Sequence, residues 1–297
     1  MKHFADLRDP RVKRTQEHLL EEILLMTIAA ILGGCNGWNE IEDYAHSKHA
    51  WFKGFLTLPS GIPSHDAFNR VFSALDPEEL EKGFVAWVSS IAKLAAGKVV
   101  AIDGKTLRGT QELSKKGPDK KAIVHMVSAW ANTNSLVLGQ RRVDEKPNEI
   151  NAIPKLLDAL ELSGAVVTID AMGCQRAIAE KIVDKKADYI LAVKENQGHL
   201  LEEIKDSFQM LAADAARLNR CIRQHWGIEN KLHWVLDVGF GEDLDPKRAG
   251  YAAQNLSVLN RIALNLLKQD KTSKRSIHGK RLKAGWDNDY LLPLPGN

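Results

Sequence analysis

The residues after Gly97 constrain the fold most, because short apolar runs alternate there with turn residues. Five runs are rich in β-branched or apolar side chains, as expected of strands. They are KVVAIDG, HMVSAWA, LVLGQRRV, AVVTIDA and DYILAVK. The first three are separated by loops without a helical pattern, and the stretch from Asn132 to Ser135 is typical of a turn. These three runs are predicted to form an antiparallel meander.

The later part of this region alternates helical segments with strands. EINAIPKLLDALEL and CQRAIAEKIVDKK have helical patterns, and a long helical stretch follows at about 199–236. Strands that alternate with helices indicate parallel pairing, with helices on both faces of the sheet. The resulting order is βββαβαβα. We therefore predict an α/β fold with a ribonuclease-H-like mixed sheet.

Residues 1–96 have a different pattern, with four predicted helices and no candidate strand. The first helix, LLEEILLMTIAAIL, is apolar around most of its circumference and ends at two glycines, which predicts a buried helix. Ser64 is a plausible N-cap, and Asp76 followed by Pro77 is a favourable helix start. We predict three segments: an all-helical N-terminal domain at 1–96, a catalytic core at 97–267, and a basic C-terminal tail at 268–297.

Composition excludes several classes of protein. The net charge is only +3, from 41 Lys and Arg against 38 Asp and Glu, so any nucleic-acid binding must rely on local clusters. The three cysteines form no CxxC pair, which argues against a disulfide framework and fits a reducing cytosol. The longest apolar run, from Ile23 to Leu32, is too short to cross a membrane. A soluble cytoplasmic protein is expected.

The tail between Lys268 and Lys283 holds seven basic residues and one acid. Two interpretations are open. One is a solvated, poorly ordered tail; the other is a segment that contacts nucleic-acid phosphates.

Two aspartates follow matching apolar runs. Asp103 ends VVAID, Asp170 ends VVTID, and both precede small or turn residues. One such aspartate is often a cap or a loop hydrogen-bond acceptor, but two in matching contexts favour a site at the sheet edge where ligands bind. In a ribonuclease-H-like sheet the two strands are neighbours. Adjacent carboxylates repel unless a cation lies between them, and their oxygens suit Mg²⁺ or Mn²⁺.

The stretch HWGIENKLHW places His225, Glu229 and His233 four residues apart. Three interpretations remain open: a metal site on one helix, polar residues flanking a packed helix, and Glu229 as a third acid beside the two aspartates. Three successive ligands at this spacing drift around an α-helix by about 40° per step, which weakens the first interpretation. An apolar face that includes Ile228 and Leu232 would hold Glu229 near the strand ends.

Several motifs together resemble the H-repeat-associated insertion-sequence transposases, a group with a DDE active site. They are AIDGKTLRG, LVLGQRRVDEKPNEI, VVTIDAMGCQ, DYILAVKENQ and HWGIENKLHWVLDV. The N-terminal segments LLEEILLMTIAAILGGCNGWNEIEDYA and GIPSHDAFNRVFSALDP resemble the domain associated with that family, so the resemblance covers nearly the whole chain.

The resemblance implies a Mg²⁺- or Mn²⁺-dependent enzyme that nicks DNA at the ends of an insertion sequence and transfers the strand to target DNA. The catalytic and metal-binding acids implied are Asp103, Asp170 and Glu229. The implied partners are DNA and a possible second copy of the chain, with no membrane. Candidate phosphate contacts, each as readily an ordinary surface charge, are Lys105, Arg108, Lys194, Lys274, Arg275, Lys280 and Arg281.

The chain departs from related transposases in two ways. Related transposases have a Tyr-Arg-Glu-Lys signature around the last acid. This chain has Ile222 in place of the Tyr, His225 in place of the Arg and Leu236 in place of the Lys, so the auxiliary roles of those three residues do not carry over. The segment before the last acid is also shorter, which predicts an internal deletion with a seam near Gln209-Met210-Leu211. An impaired remnant that binds DNA or metal without transposing is therefore the alternative, and a generic α/β metal-dependent hydrolase is a third.

Overall fold

A computed structural model describes residues 2–92, 96–113, 121–143, 149–208, 215–244 and 249–294. The chain divides into two compact units, which are described separately. The sheet unit comprises Val88–Thr106 and His125–His233. The helical unit comprises Met1–Trp87, Leu107–Val124 and Trp234–Asn297.

A five-stranded mixed sheet organises the sheet unit. Its strands are β1 (Val99–Leu113), β2 (Lys121–Ala131), β3 (Leu136–Val143), β4 (Val166–Ile169) and β5 (Asp188–Leu191). Their order across the sheet is β3-β2-β1-β4-β5. β2 and β3 are antiparallel, whereas β4 pairs in parallel with both β1 and β5. The five predicted strands are confirmed, as is the prediction that the first and fourth are neighbours.

Helices connect the parallel strands and cover the sheet. α6 (Glu149–Ala159) packs against β3, and α7 (Arg176–Asp184) packs against β5. β4 is buried along its whole length, as its continuous apolar sequence predicts for a strand between two parallel neighbours. The two helices predicted between these strands are confirmed.

β1 is longer than the sequence pattern indicates. The prediction that Asp103 ends its strand is wrong, because β1 continues to Leu113. The parallel pairing with β4 nevertheless stops at Ile102 and Ile169, directly before the two aspartates. The polar residues after Gly104 resemble a turn in the sequence, but they extend the strand instead.

The long helical stretch predicted at about 199–236 is interrupted. It contains α8 (Gly198–Phe208), α9 (Ala215–His225) and a π turn (Glu229–His233). The next helix, α10 (Trp234–Phe240), begins the last segment of the helical unit. The proposed seam at Gln209-Met210-Leu211 lies outside the described residues.

The helical unit also contains the N-terminal helices and the end of the chain. Its remaining helices are α1 (Leu20–Leu32), α2 (Trp38–Ser47), α3 (His49–Phe52), α4 (His65–Ala74), most of α5 (Pro77–Ile91), α11 (Ala252–Gln269), α12 (Ile277–Trp286) and α13 (Asn288–Leu291). α1 is almost entirely buried, as predicted, and packs against α2, α11 and α12. The predicted caps are also confirmed, because Ser64 accepts from the Ala67 N–H and Asp76 from the Glu78 N–H.

The basic segment near the C-terminus is structured, contrary to the interpretation of a solvated tail. Lys280 and Arg281 lie on α12 and are only 6% and 3% exposed. Lys280 donates to the carbonyl oxygens of Leu267 and Asp270, each at 2.7 Å. These cations therefore satisfy backbone carbonyls within the unit.

No helix within the described ranges is long and apolar enough to cross a membrane.

Candidate metal-binding acidic site

Asp103 and Asp170 follow the last paired residues of two adjacent parallel strands. The pairing runs from Val99 and Val166 to Ile102 and Ile169, so the aspartates leave the ladder at the same edge. Asp170 also acts as an ordinary cap. It accepts a hydrogen bond from the Met172 N–H at 3.1 Å and so caps the 3₁₀ turn that follows. Its charge nevertheless reaches Asp103 and raises the pKa of that carboxyl.

Glu229 lies beside Asp103. It opens the π turn, and its carboxyl is close enough to share a hydrogen bond with Asp103. Ligand atoms of Asp103, Glu229 and His233 all lie within 4.8 Å of one another. Asp170 is outside that set of three, although it borders it.

The electrostatics of Asp103 are unfavourable for its charged form. Burial, the neighbouring charge of Glu229 and, less strongly, the charge of Asp170 together raise the pKa of Asp103 to about 7, while the hydrogen bond from the Gly104 N–H opposes the shift. A carboxylate in this position is stabilised either by a proton or by a cation. The arrangement is therefore chemically suited to binding a positive ion.

His233 is the site residue whose role the sequence left unassigned. Its side chain is 5% exposed, and Nδ1 lies 3.6 Å from Asp103 Oδ2 and 3.8 Å from Glu229 Oε2. Glu229 and His233 are the first and last residues of the π turn, and both side chains reach Asp103. The drift that argued against three successive ligands does not prevent two of them from meeting there.

His225 occupies the preceding turn but has a different environment. Its Nδ1 lies 2.9 Å from the Thr168 hydroxyl on β4. Burial lowers the pKa of His225, against the opposing charges of Asp170 and Glu229. The structure thus separates the two histidines, so the single-helix site with all three side chains is not formed.

Because Gly104 has no side chain, the hydrogen-bonded pair of His125 and Glu149 can approach the backbone next to Asp103. A Cβ atom at Gly104 would lie 2.2 Å from Glu149 Oε1, so a side chain there would displace Glu149. Glu149 in turn is hydrogen-bonded to His125 Nε2 at 2.5 Å. The small residue after Asp103 therefore has a packing reason as well as a place in the motif.

A groove on the outer side of α9 adds positive charge to the sheet unit. It has a volume of about 430 Å³ and is lined in part by Arg220, Arg223, Trp226 and Lys231. We call these four residues the basic groove. Trp226 is 62% exposed, and the three cations are exposed as well. The sequence pattern did not single out these residues, because Arg220 and Arg223 lie on α9, Trp226 follows it and Lys231 lies on the π turn.

The candidate phosphate contacts differ in accessibility. Exposed ones are Arg108, Lys194, Lys274 and Arg275. Lys105, Lys280 and Arg281 are buried. Lys280 and Arg281 donate to backbone carbonyl oxygens, and their role as phosphate contacts stays a prediction.

Comparison with known proteins places this geometry in a family. A family model described as "Transposase DDE domain" matches residues 95–266, and one described as "DDE_Tnp_1-associated" matches residues 1–88. "Putative transposase YncI" of Escherichia coli O157:H7 is 34% identical over 97% of this chain and 92% of its own length. "H repeat-associated putative transposase YhhI" of Escherichia coli K12 is 33% identical over 99% of this chain and 97% of its own length.

The alignments also bear on the predicted deletion. The alignment with YncI runs over 363 positions, whereas this chain has 297 residues, so at least 66 positions fall opposite gaps in this chain. Because the aligned region includes nearly the whole chain, these gaps are internal. The YncI protein of Escherichia coli O157:H7 and YhhI therefore contain residues that this chain lacks.

A solved structure supports the fold. The piggyBac transposase, in a synaptic complex with hairpin DNA, superposes with a TM-score of 0.50 at 11% identity, covering 100% of this chain and 77% of that chain. The mixed α/β architecture is thus one that a transposase uses. From the matched family models, the full-length relatives and this architecture, we conclude that the chain belongs to the family of transposases with a DDE domain.

Proposed function

We propose that this protein catalyses metal-dependent cleavage of DNA at insertion-sequence ends and transfer of the cleaved strand to target DNA. The observation that carries this proposal is the close approach of Asp103 and Glu229, with Asp170 beside them at the same sheet edge. Three neighbouring carboxylates repel one another and destabilise the folded protein unless a cation binds between them. A metal-dependent reaction would explain why the chain keeps them together.

The residues present fit a divalent metal ion. Carboxylate oxygens are the ligands that Mg²⁺ and Mn²⁺ prefer, and burial together with the charge of Glu229 raises the pKa of Asp103. Bound ions would act as Lewis acids that activate an attacking hydroxyl and stabilise the leaving oxygen of a phosphodiester. Asp103, Asp170 and Glu229 would hold them, and the Met172 N–H would orient Asp170.

The strand order supports a ribonuclease-H-like core. Three strands that are consecutive in the chain lie side by side, β4 and β5 follow in parallel, and the first strand lies at the centre of the order β3-β2-β1-β4-β5. That order brings the strands before Asp103 and Asp170 side by side. We infer that the sheet unit is the catalytic core of the enzyme.

DNA is the proposed partner, and the basic groove is its proposed contact on the sheet unit. Arginine and lysine side chains contribute affinity by releasing counterions from phosphates, and an exposed tryptophan offers a stacking surface for a base. Arg220, Arg223, Lys231 and Trp226 supply both features on one surface. A transposase of similar fold has been solved with hairpin DNA, which agrees with this partner.

An impaired remnant is the second candidate, favoured by the internal gaps of at least 66 positions in alignment with YncI. Such a chain would retain the acids and bind metal or DNA but would not complete transposition.

A nicking assay tests the proposal. The protein is incubated with Mg²⁺ or Mn²⁺ and supercoiled DNA that carries the ends of its own element, and strand breaks are mapped to nucleotide resolution. We expect breaks at the element ends that Asp170→Asn abolishes. Asp184→Asn, which makes the same change at an exposed position of α7, should leave them unchanged. Intact DNA binding without any nicking would instead establish the remnant.

A further inference from the structure

We propose that the imidazole of His233 is a direct ligand of the ion held by Asp103 and Glu229, so that this position takes a first-row transition metal ion in preference to Mg²⁺. The inference rests on the proposed metal dependence and adds to it the identity of a nitrogen ligand. It also assigns a function to the π turn.

The distances favour shared coordination over direct hydrogen bonding. His233 Nδ1 lies 3.6 Å from Asp103 Oδ2 and 3.8 Å from Glu229 Oε2. Both separations exceed the roughly 3.2 Å limit of a good N–H···O hydrogen bond. Two atoms that each bind one ion at about 2.2 Å can be up to roughly 4.4 Å apart, and both separations fall within that span.

Burial gives the ring a fixed position. His233 is 4% exposed, whereas Glu229, on the same turn, has a side chain that is 54% exposed. A buried ring beside β1 cannot move away from Asp103 as a surface histidine could. The nitrogen is therefore preorganised next to the acids, which lowers the entropic cost of binding an ion.

The donor set determines which ion is preferred. Mg²⁺ prefers oxygen ligands and retains several waters, whereas imidazole is a good ligand for transition metals. A set of two carboxylates and one imidazole mixes oxygen and nitrogen ligands, and transition metal ions accept both kinds, whereas Mg²⁺ favours oxygen. Mn²⁺ accepts both ligand types, and its unpaired electrons make it a suitable probe.

Pulsed electron paramagnetic resonance of Mn²⁺ bound to the full-length chain tests the proposal. Electron spin-echo modulation should show nitrogen coupling, and growth with ¹⁵N-histidine should replace the ¹⁴N frequencies with those of ¹⁵N. This measurement needs no substitution. His233→Gln should remove the coupling, whereas the matched variant His225→Gln should retain it.

Binding affinities give a second readout. His233→Gln should weaken Mn²⁺ binding by at least about tenfold, since loss of even an outer-sphere partner of a metal ligand costs about 10–100-fold. Mg²⁺ binding should change much less, because Mg²⁺ can replace the nitrogen with water. Circular dichroism of each variant verifies that it is folded.

The outcomes separate the two proposals. Mn²⁺ that binds in an Asp103-dependent manner, without histidine nitrogen coupling, would overturn the role of His233 and leave the proposed function standing. Coupling that disappears in His225→Gln and persists in His233→Gln would identify His225 as the nitrogen ligand, which would also overturn the role of His233. Absence of any binding of Mn²⁺ or Mg²⁺ would overturn both proposals.

Discussion

At the scale of single residues, Asp103 has the strongest electrostatic conflict in the sheet unit. Burial and the charge of Glu229 raise its pKa to about 7, from an ordinary value of 3.8. A group whose pKa is higher in the folded than in the unfolded state binds its proton more tightly when folded. The metal-free protein therefore loses stability as that proton dissociates.

This conflict predicts a pH dependence of stability in the metal-free protein. The contribution of Asp103 is fully present below pH 3.8 and is lost as the pH rises through about 7. Asp103→Asn should remove this slope and raise the free energy of unfolding at pH 8 by about 1–3 kcal/mol. Urea unfolding with chelator, at pH 5 and pH 8, measures the effect.

Asp184→Asn is the control, because that side chain is exposed on α7. It should reproduce the slope of the original chain. A slope that survives in Asp103→Asn would show that another group causes the pH dependence.

The sequence could predict the positions of the two aspartates but not that of His233. Asp103 follows VVAI and Asp170 follows VVTI, runs that are apolar except for Thr168, and parallel strands bring such positions to one edge. His233 depends on a π turn, and no local pattern of apolar residues distinguishes a π turn from an α-helical one. Its meeting with Asp103 is a tertiary contact, which spacing along one helix cannot reveal.

At the scale of secondary-structure elements, α12 is anchored by a buried arginine. Arg281 donates to the carbonyl oxygens of Ile31 at 2.9 Å, Cys35 at 3.0 Å and Gly239, and its guanidinium lies 4.3 Å from the Phe240 ring centroid. Burial lowers the pKa of Arg281 to about 10, and the guanidinium geometry serves several acceptors at once.

Arg281→Lys should therefore destabilise the protein even though it retains the charge. A lysine has one ammonium group and cannot reach acceptors in several directions, so we expect a loss of about 2–3 kcal/mol. Chemical denaturation measures it. Arg275→Lys, at an exposed position before α12, is the matched control and should change stability by less than about 0.5 kcal/mol. Equal effects in the two variants would argue against the anchoring role.

Asp270, at the end of α11, predicts a pH dependence of the opposite sign. Burial opposes its ionisation, but hydrogen bonds from Thr272, Tyr290 and Lys280 outweigh burial and hold its pKa below the ordinary range. Its contribution is present above pH 3.8 and is lost as the pH falls towards the folded-state pKa.

Asp270→Asn should accordingly reduce stability by about 1–3 kcal/mol at pH 7 and by progressively less towards pH 2. Thermal unfolding across that range measures the difference from the original chain. Asp289→Asn, at an exposed position on α13, is the control. A difference that is constant with pH would contradict the assignment.

The organisation of this end of the chain was poorly predictable from its sequence. Seven basic residues in sixteen positions are typical of a solvated segment, and local charge density contains no information about distant carbonyls. The acceptors of Arg281 belong to α1, the loop after it, and α10. A burial of this kind depends on contacts across more than 200 residues of sequence.

At the scale of the whole molecule, the net charge of +3 means that DNA affinity depends on where cations cluster. The basic groove is one such cluster on the sheet unit. Each arginine that neutralises a phosphate contributes about one unit to the slope of log K against log salt concentration.

The double variant Arg220→Gln and Arg223→Gln should weaken DNA binding at low salt and reduce that slope by about two units. Fluorescence anisotropy with a labelled duplex, titrated at several salt concentrations, measures both quantities. Arg176→Gln with Lys205→Gln is the matched control, because it removes the same charge from exposed positions of the same unit. An equal loss in both double variants would attribute binding to net charge alone.

The strand and helix order was predictable because each element carries its own periodicity. The division of the chain into units was not predicted in detail, since residues of β1 and β2 belong to both units. Sequence patterns mark where elements begin and end, but grouping them depends on which surfaces meet in space.

The position of β4 between β1 and β5 has a consequence for how firmly the acids of the site are held. β4 is buried at every residue and is paired on both sides, so its amide hydrogens should be among the last in the sheet unit to exchange with deuterium. Glu229 lies on a π turn whose first three residues are exposed, so the amides of that turn should exchange earlier. Deuterium uptake should then be slow in the strand that precedes Asp170 and faster around Glu229, because the backbone that carries Glu229 opens more often.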